Sequence, residues 1–416
     1  MAVNKKDREI LRQLARQVAE IAALPVQQET IAKWKALNGL KPVRPMVMID
    51  QVAWHEMEFD GELALQTEDR SCRGYESWLR ELLYSWKHMR VDMVVEPVVE
   101  VGKAIYAKGG YEPGAQVQTA VLDPRGVVGQ YYFDQIKTEA DLEKIRLPEL
   151  VHDEKATAER AEKAHDIFDG ILEIHLQGWI PMYNLWDRLA TWRGPESLLW
   201  DLVDRPEFIH QIMARMVAAQ TSLLDQLEKN GWLGHSQGTI HCTGAYTDEL
   251  PAPGFNPEHP RAKDLWTCGM AQLFSTVSPA MQQEFELDYT EKLYARYGLV
   301  YYGCCEPLDG KIDIIKKKVP HVRKISMSPW VNLERGASQI GRDFVFSRKP
   351  SPAFLCVDDW NPKNVEQDLR ETMQTCARHG CPLEFILKDI STVRYQPQRL
   401  WEWADIAMRV VQEANQ

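Results

Sequence analysis

No stretch of the 416-residue chain approaches the roughly 18 to 20 apolar residues that a membrane-spanning helix needs. The opening residues, MAVNKKDREILRQLARQ, are charged and hold no apolar signal core, so a cytoplasmic protein is the expectation. Basic charge is scarce: 49 Lys and Arg stand against 60 Asp and Glu, a net charge of −11. Nucleic acid or an anionic membrane surface as main partner would require a basic patch. The one basic run, Lys316-Lys317-Lys318, reads as a solvated helix end. Eight cysteines are too few for a disulfide scaffold at this length, so thiols are expected, some of them able to bind metal. Internal repeats and low-complexity linkers are lacking as well.

What is present is ordinary globular composition, 44% hydrophobic and 26% charged, enough to bury a large core. Residues 1–40 read as a helical extension, with Ile10, Leu11, Leu14, Val18 and Ile21 at helical spacing and a second amphipathic stretch from about Gln28 to Leu37. Residues 41–416 then carry eight candidate strands: 43–54, 92–102, 173–184, 239–247, 298–306, 322–332, 351–360 and 382–393. Helical patterns separate most of them, as at 154–172, 206–229, 281–297 and 362–379. Eight is the number of a closed parallel barrel, so the expected fold is α/β, a (β/α)8 TIM barrel. The segment 104–148 breaks the alternation. Its Asp123-Pro124-Arg125-Gly126 turn and alternating GVVGQYYF predict a β-hairpin excursion beside the barrel mouth.

A parallel barrel carries its chemistry at the C-terminal ends of its strands. Residues there include Trp54-His55-Glu56, Glu96 and Glu100, Tyr183-Asn184, His241-Cys242, Cys304-Cys305-Glu306, Ser328-Pro329-Trp330, Cys356 with Asp358-Asp359-Trp360, and Lys388-Asp389. The segment YYGCCEPLDG is the sharpest of these: two thiols and a carboxylate offer soft and hard ligands at the end of a buried strand. Neighbouring residues point to opposite sides unless the strand has ended, so one thiol of the pair is expected to reach a given metal. Either Cys304 and Cys305 are small buried hydrophobes, as most free cysteines are, or they form a site with donors from other strands: His241, Cys242, Cys356 or Asp389. His241 reads equally as a ligand and as a satisfied core or substrate-contacting histidine, while Cys242 is expected to point away from it. Asp389, ending FILKD, is a site carboxylate or the partner of Lys388. Asp358 and Asp359 bind substrate or cap the helix that Asn361-Pro362 begins. Trp54, His55, Glu96, Tyr183, Asn184, Trp330 and Asp358 make up the candidate substrate-binding set. Six of the 14 tryptophans fall near predicted strand ends, which suits a flat or quaternary-ammonium substrate if they are not simply core.

From about Arg44 to Val411 the order of segments resembles the uroporphyrinogen decarboxylase superfamily. The resembling stretches are NLWDRLATWRGPESLLWDLVDRPEFIHQIM, SPAMQQEFELDYTEKLYARYGLVYYGCCEPL and FILKDISTVRYQPQRLWEWADIAMRVV. True decarboxylases of that superfamily carry an arginine-rich RQAGR-like loop, where this chain reads VRPMVMIDQVAWHEM, and a polyanionic porphyrinogen would lose its anchors there. The corrinoid-linked methyltransferase branch is also similar and binds zinc through His-x-Cys and a late cysteine. Here those positions read Gly303-Cys304-Cys305 and Lys388-Asp389-Ile390. The resemblance thus implies Zn2+ held from among Cys305, Cys304, Glu306, His241 and Asp389, with Glu306, Asp389 and His241 as the catalytic groups. It implies methyl transfer from a small methylated donor, a methoxylated aromatic ahead of a methylamine or betaine, to a corrinoid carried by a partner protein. A homodimer fits this reading. A uroporphyrinogen decarboxylase-like decarboxylase and a non-catalytic binding barrel are the alternatives.

Overall fold

The computed structural model describes residues 3–123, 127–235 and 237–413. The chain begins with two helices, Lys5–Ala22 and Pro25–Asn38. Asn4 starts the first by accepting the Asp7 N–H, and Pro25, which has no N–H to lose, opens the second. Among the described residues no helix is long and apolar enough to cross a membrane.

Six parallel strands follow one another in space as Met46–Ile49, Leu383–Leu387, Val345–Arg348, Val322–Met327, Leu299–Tyr302 and Trp266–Gly269, curled into half a barrel. Alternation along each strand sorts the side chains. Ile325, Met327, Phe346, Phe385 and Leu387 join the main apolar core, whereas on the concave face Tyr301 bonds to Ser347, Lys324 to Glu384, and Ser326 accepts from Lys349. The opposite wall is a parallel pair, Val98–Gly102 with Glu173–Gln177, joined onward through single bridges of Trp179 to Leu233 and of Tyr183 to Gly269.

Of the eight-stranded barrel expected, the structure shows a curled six-stranded parallel half-barrel and the separate parallel pair, and two of the expected strands are not strands of it. The stretch 239–247 is not a barrel strand: His241, at φ 54°, turns it into a hairpin of Thr239–Ile240 with Thr243–Gly244. The stretch 351–360 contains a short helix, Ala353–Cys356, started by Pro352. Two strands take their places. Trp266–Gly269 is only four residues long, and in Val345–Arg348 the concave-facing Ser347 interrupts an apolar reading. The hairpin expected in 104–148 is present as Val117–Asp123 against Val127–Tyr132, its turn residues 124–126 lying outside the described residues. The helices Pro206–Lys229 and Pro362–His379 match expectation. That over 281–297 is broken into Pro279–Gln282, a π-helical turn Gln283–Leu287 and Asp288–Tyr294.

Two buried ion pairs organise the concave side. Lys324 Nζ lies 2.8 Å from Glu384 Oε2, both side chains fully buried, and Thr243 of the hairpin donates to the same oxygen at 2.7 Å. Arg44 grips Asp92 through two hydrogen bonds of 2.8 and 2.5 Å, while the other duty of Asp92 is to accept the Val47 N–H at 2.8 Å. Asp92 thereby fastens the segment before Val98–Gly102 to the edge of the main sheet, where no strand ladder does so. Removing one partner of a buried pair strands the other charge, so Asp92→Ala should cost about 3 to 5 kcal/mol in urea unfolding. Arg44→Met with Asp92→Leu should recover part of that loss, and a cost below about 0.5 kcal/mol for Asp92→Ala would contradict this account.

Candidate active site

The strands Leu299–Tyr302 and Leu383–Leu387 and the hairpin loop at His241 deliver their next residues to one place. At the end of the first, Gly303 adopts φ 94°, and a Cβ there would fall 2.4 Å from Leu308 Cδ1. This turn ends the strict alternation, so both following thiols stay on the concave side with their Sγ atoms 3.5 Å apart. Lys388, 3% exposed, donates from Nζ to Cys304 Sγ at 3.1 Å, and Cys305 Sγ donates to Asp389 Oδ2 at 3.0 Å. His241 stacks on Tyr301 with ring centroids 5.3 Å apart, places Nδ1 2.7 Å from Cys242 Sγ, and stands beside Cys304. Cys242 thus lies on the same side as His241, against the strand-alternation expectation, because the chain is turning there rather than extended.

His241, Asp389 and Gln51 are non-glycine residues held at φ 54°, 57° and 51° at or beside the ends of these segments. Such conformations cost free energy and persist where the surroundings over-determine them. The electrostatics are equally constrained. Burial opposes charge on His241, yet its bonds to Cys242 and Cys304 outweigh that and push its pKa up to about 9. The Cys304 thiol is lowered by its contact with Cys305, against burial, and further by His241 and Lys349. Burial would discharge Lys388, but the sulfurs of Cys242 and Cys304 hold its pKa above the ordinary lysine value. Burial raises Asp50, which ends its strand beside this group and feels Lys388 and His241.

Asp50 also lines a cleft of about 930 Å³ that opens between Met46–Ile49 and Val98–Gly102, where the barrel wall has no ladder. Its aromatic lining includes Trp34, Trp54, Tyr75, Trp78 and Tyr246. Glu96 lies in the same cleft and accepts a 2.9 Å hydrogen bond from the Tyr246 hydroxyl.

Of the sequence-based candidates, Cys304, Cys305, His241 and Asp389 are thus brought together, and Trp54 and Glu96 face the cleft. The others are elsewhere. Glu306 is fully buried, its two oxygens accepting the main-chain N–H groups of Ala271 and Cys304. Tyr183 is core, its hydroxyl 3.0 Å from that of Tyr297, and Asn184 sits at the start of the helix Leu185–Arg193. His55 is exposed beside Glu56, Asp358 pairs on the surface with Arg394, and Trp330 is 77% exposed on the loop after Val322–Met327. Sequence reasoning missed Asp50, Lys349, Tyr301 and the cleft aromatics Trp34, Tyr75, Trp78 and Tyr246. Asp50 had the same signal as Asp389, a carboxylate closing an apolar run, as MVMID parallels FILKD.

Zinc in a catalytic site takes three protein donors at about 2.0 to 2.3 Å. Here the donors form a chain of pairs rather than a converging set: His241 with Cys242 and Cys304, Cys304 with Cys305, and Cys305 with Asp389. Lys388 stands against Cys304 where a cation would bind, and the Glu306 oxygens are taken. Among the described residues no three or more of His, Cys, Asp and Glu are grouped to hold a metal ion. As these side chains stand, the arrangement does not fit the ion.

No protein-family model matches the chain, and no curated protein does. Among solved structures, it is similar to a methyltransferase from Methanosarcina mazei over 93% of this chain and 99% of that one, at 8% sequence identity and a TM-score of 0.49. At that identity and score the likeness carries no argument about chemistry.

The raised pKa of His241 fixes the sign of a pH effect. A folded value of about 9 against about 6.5 unfolded means that its stabilisation is complete below pH 6.5 and lost as pH rises through 9. Asn tolerates positive φ, so His241→Asn is the suitable comparison. In urea unfolding with a chelator present, the stability advantage of wild type over His241→Asn should shrink between pH 6.5 and 9.5. An advantage independent of pH would mean that the folded imidazole is not held charged.

Proposed function

We propose that this chain is a methyl-transferring enzyme whose centre is the thiol, imidazole and ammonium group around Cys304, working on a donor bound in the aromatic cleft. The observation that carries this reading is the placing of a cluster of thiols, an imidazole and a buried lysine beside Asp50, which lines that cleft. Flat aromatic walls suit a methoxylated aromatic donor, whose ring would lie among Trp54, Trp78 and Tyr246. Release of the methyl group leaves a phenolate oxygen, and a proton supplied there lowers the barrier. His241 is the group suited to give it. The sulfurs of Cys242 and Cys304 keep it protonated at neutral pH, and stacking on Tyr301 fixes its ring. Asp389 holds Cys305, and Glu96 with Tyr246 offers a polar contact for the far side of the donor.

The acceptor in this reading is a corrinoid carried by a partner protein, which when bound supplies the nucleophile for the methyl group. Trp330, Val357 and Tyr395 are 77%, 44% and 49% exposed on the loops that follow three of the parallel strands, an apolar rim consistent with a protein docking there.

The test is direct. Purified protein with chemically reduced cobalamin and a methoxybenzoate should release the corresponding phenol and form methylcobalamin, read by its absorbance. His241→Asn should lower kcat by about 10²-fold or more, the usual contribution of a positioned acid. Turnover of no methoxylated aromatic, methylamine or betaine would end the reading, and release of CO2 from a carboxylated aromatic would replace it with decarboxylation.

A further inference from the structure

Four cysteines, Cys242, Cys268, Cys304 and Cys305, lie in the apolar cluster at the mouth, but their surroundings differ sharply. Cys268 is fully buried on its strand and burial raises its thiol. Cys305 is partly exposed and spends its proton on Asp389, so a carboxylate faces it. Cys304, 4% exposed, meets the Lys388 ammonium at 3.1 Å, and Lys388 is itself only 3% exposed. A buried ammonium needs a negative partner. Lys388 has the Asp389 carboxylate 3.5 Å away as an ionic partner and lies closer, at 3.1 Å, to Cys304 Sγ, where its charge favours a thiolate.

A second lysine holds the main chain of Cys304 from the next strand. Lys349, 2% exposed, donates to the Tyr301 hydroxyl at 2.5 Å and to Ser326 Oγ at 2.6 Å, and Ser326 Oγ donates to the Cys304 carbonyl at 2.5 Å.

We infer that Cys304 is the ionised sulfur of this centre and that Lys388 is its positioning residue, occupying the place a metal cation would take, so that the thiolate forms without metal. The inference uses the site of the proposed methyl transfer but none of its chemistry, and stands if that reading fails. The lowered thiol of Cys304 and the raised ammonium of Lys388 agree with it. The groups facing Cys304 from each packed element are His241 and Cys242 from the hairpin, Asp50 after the first strand, Cys268 and Tyr301 on their strands, Cys305 and Glu306 beside it, Lys349 after Val345–Arg348, and Lys388 and Asp389 after the last strand. Three of these, Lys349, Lys388 and His241, are cationic. Of the neighbouring carboxylates, Asp389 accepts from Cys305 and pairs with Lys388, and Glu306 accepts main-chain N–H groups.

The experiment is a pH titration of thiolate absorbance near 240 nm on the full chain, after dialysis against a chelator and with metal content measured alongside. Wild type should keep the signal of one thiolate at pH 6, Cys304→Ser should lose it, and Cys305→Ser should retain it. Lys388→Met should move the midpoint upward by about two pH units, and Lys388→Arg, which restores the charge, should return most of that shift. The inference is overturned if the pH 6 signal disappears with the removed metal, if it follows Cys305 rather than Cys304, or if folded Lys388→Met, or Lys388→Arg where that variant alone folds, titrates with no sign of the lysine's charge.

Discussion

The buried contact between Lys324, Glu384 and Thr243 is the constraint on which the rest of the site depends. Two charges taken from water into the barrel are tolerated only with close partners, and here the partners come from three separate segments. Thr243 belongs to the hairpin that crosses the open side of the half-barrel, and Lys324 also donates to the Gly244 carbonyl. That anchorage fixes the hairpin to the strands Val322–Met327 and Leu383–Leu387. His241, two residues before Thr243, is thereby stacked on Tyr301 and set against Cys304.

The same desolvation logic runs up the concave face. A polar layer of Lys324 and Glu384 is followed by Tyr301, Ser326, Ser347 and Lys349, then by Cys304, Lys388, His241 and Asp389 at the strand ends. Lys324 pairs with Glu384 and Tyr301 with Ser347 across an intervening strand, so moving one side chain leaves another unsatisfied. The left-handed residues Gln51, His241 and Asp389 sit at the top of this layered structure, where the chain must turn sharply to keep side chains pointed inward. The cleft opens beside them because the wall between Met46–Ile49 and Val98–Gly102 is tied by Asp92 rather than by a ladder.

Much of the scaffold was legible. Pro206–Lys229 and Pro362–His379 announce themselves by proline at the first turn and by Asn or Gly at the end, local signals that tertiary packing did not override. The thiol pair and Asp389 could be found because reactive residues closing apolar runs lie at strand ends in a parallel α/β sheet. The strands Trp266–Gly269 and Val345–Arg348 were not legible: their concave faces carry residues whose burial is made acceptable only by partners distant in sequence. Tyr183 misled for the opposite reason, since its position near a strand end conceals a hydroxyl spent on Tyr297.

The sequence by itself determined where helices such as Pro206–Lys229 and Pro362–His379 begin and stop, that the strands would be parallel, and which residue types would gather at their ends, because capping, periodicity and hydrophobic runs are short-range properties. Only the tertiary structure decided that six strands rather than eight form the sheet, that Cys242 joins His241 instead of opposing it, and that Glu306 serves main-chain N–H groups. It also decided that Lys388 reaches Cys304, 84 residues away in the chain. These outcomes turn on positive φ values and on which buried charges find partners, quantities set by long-range packing and desolvation.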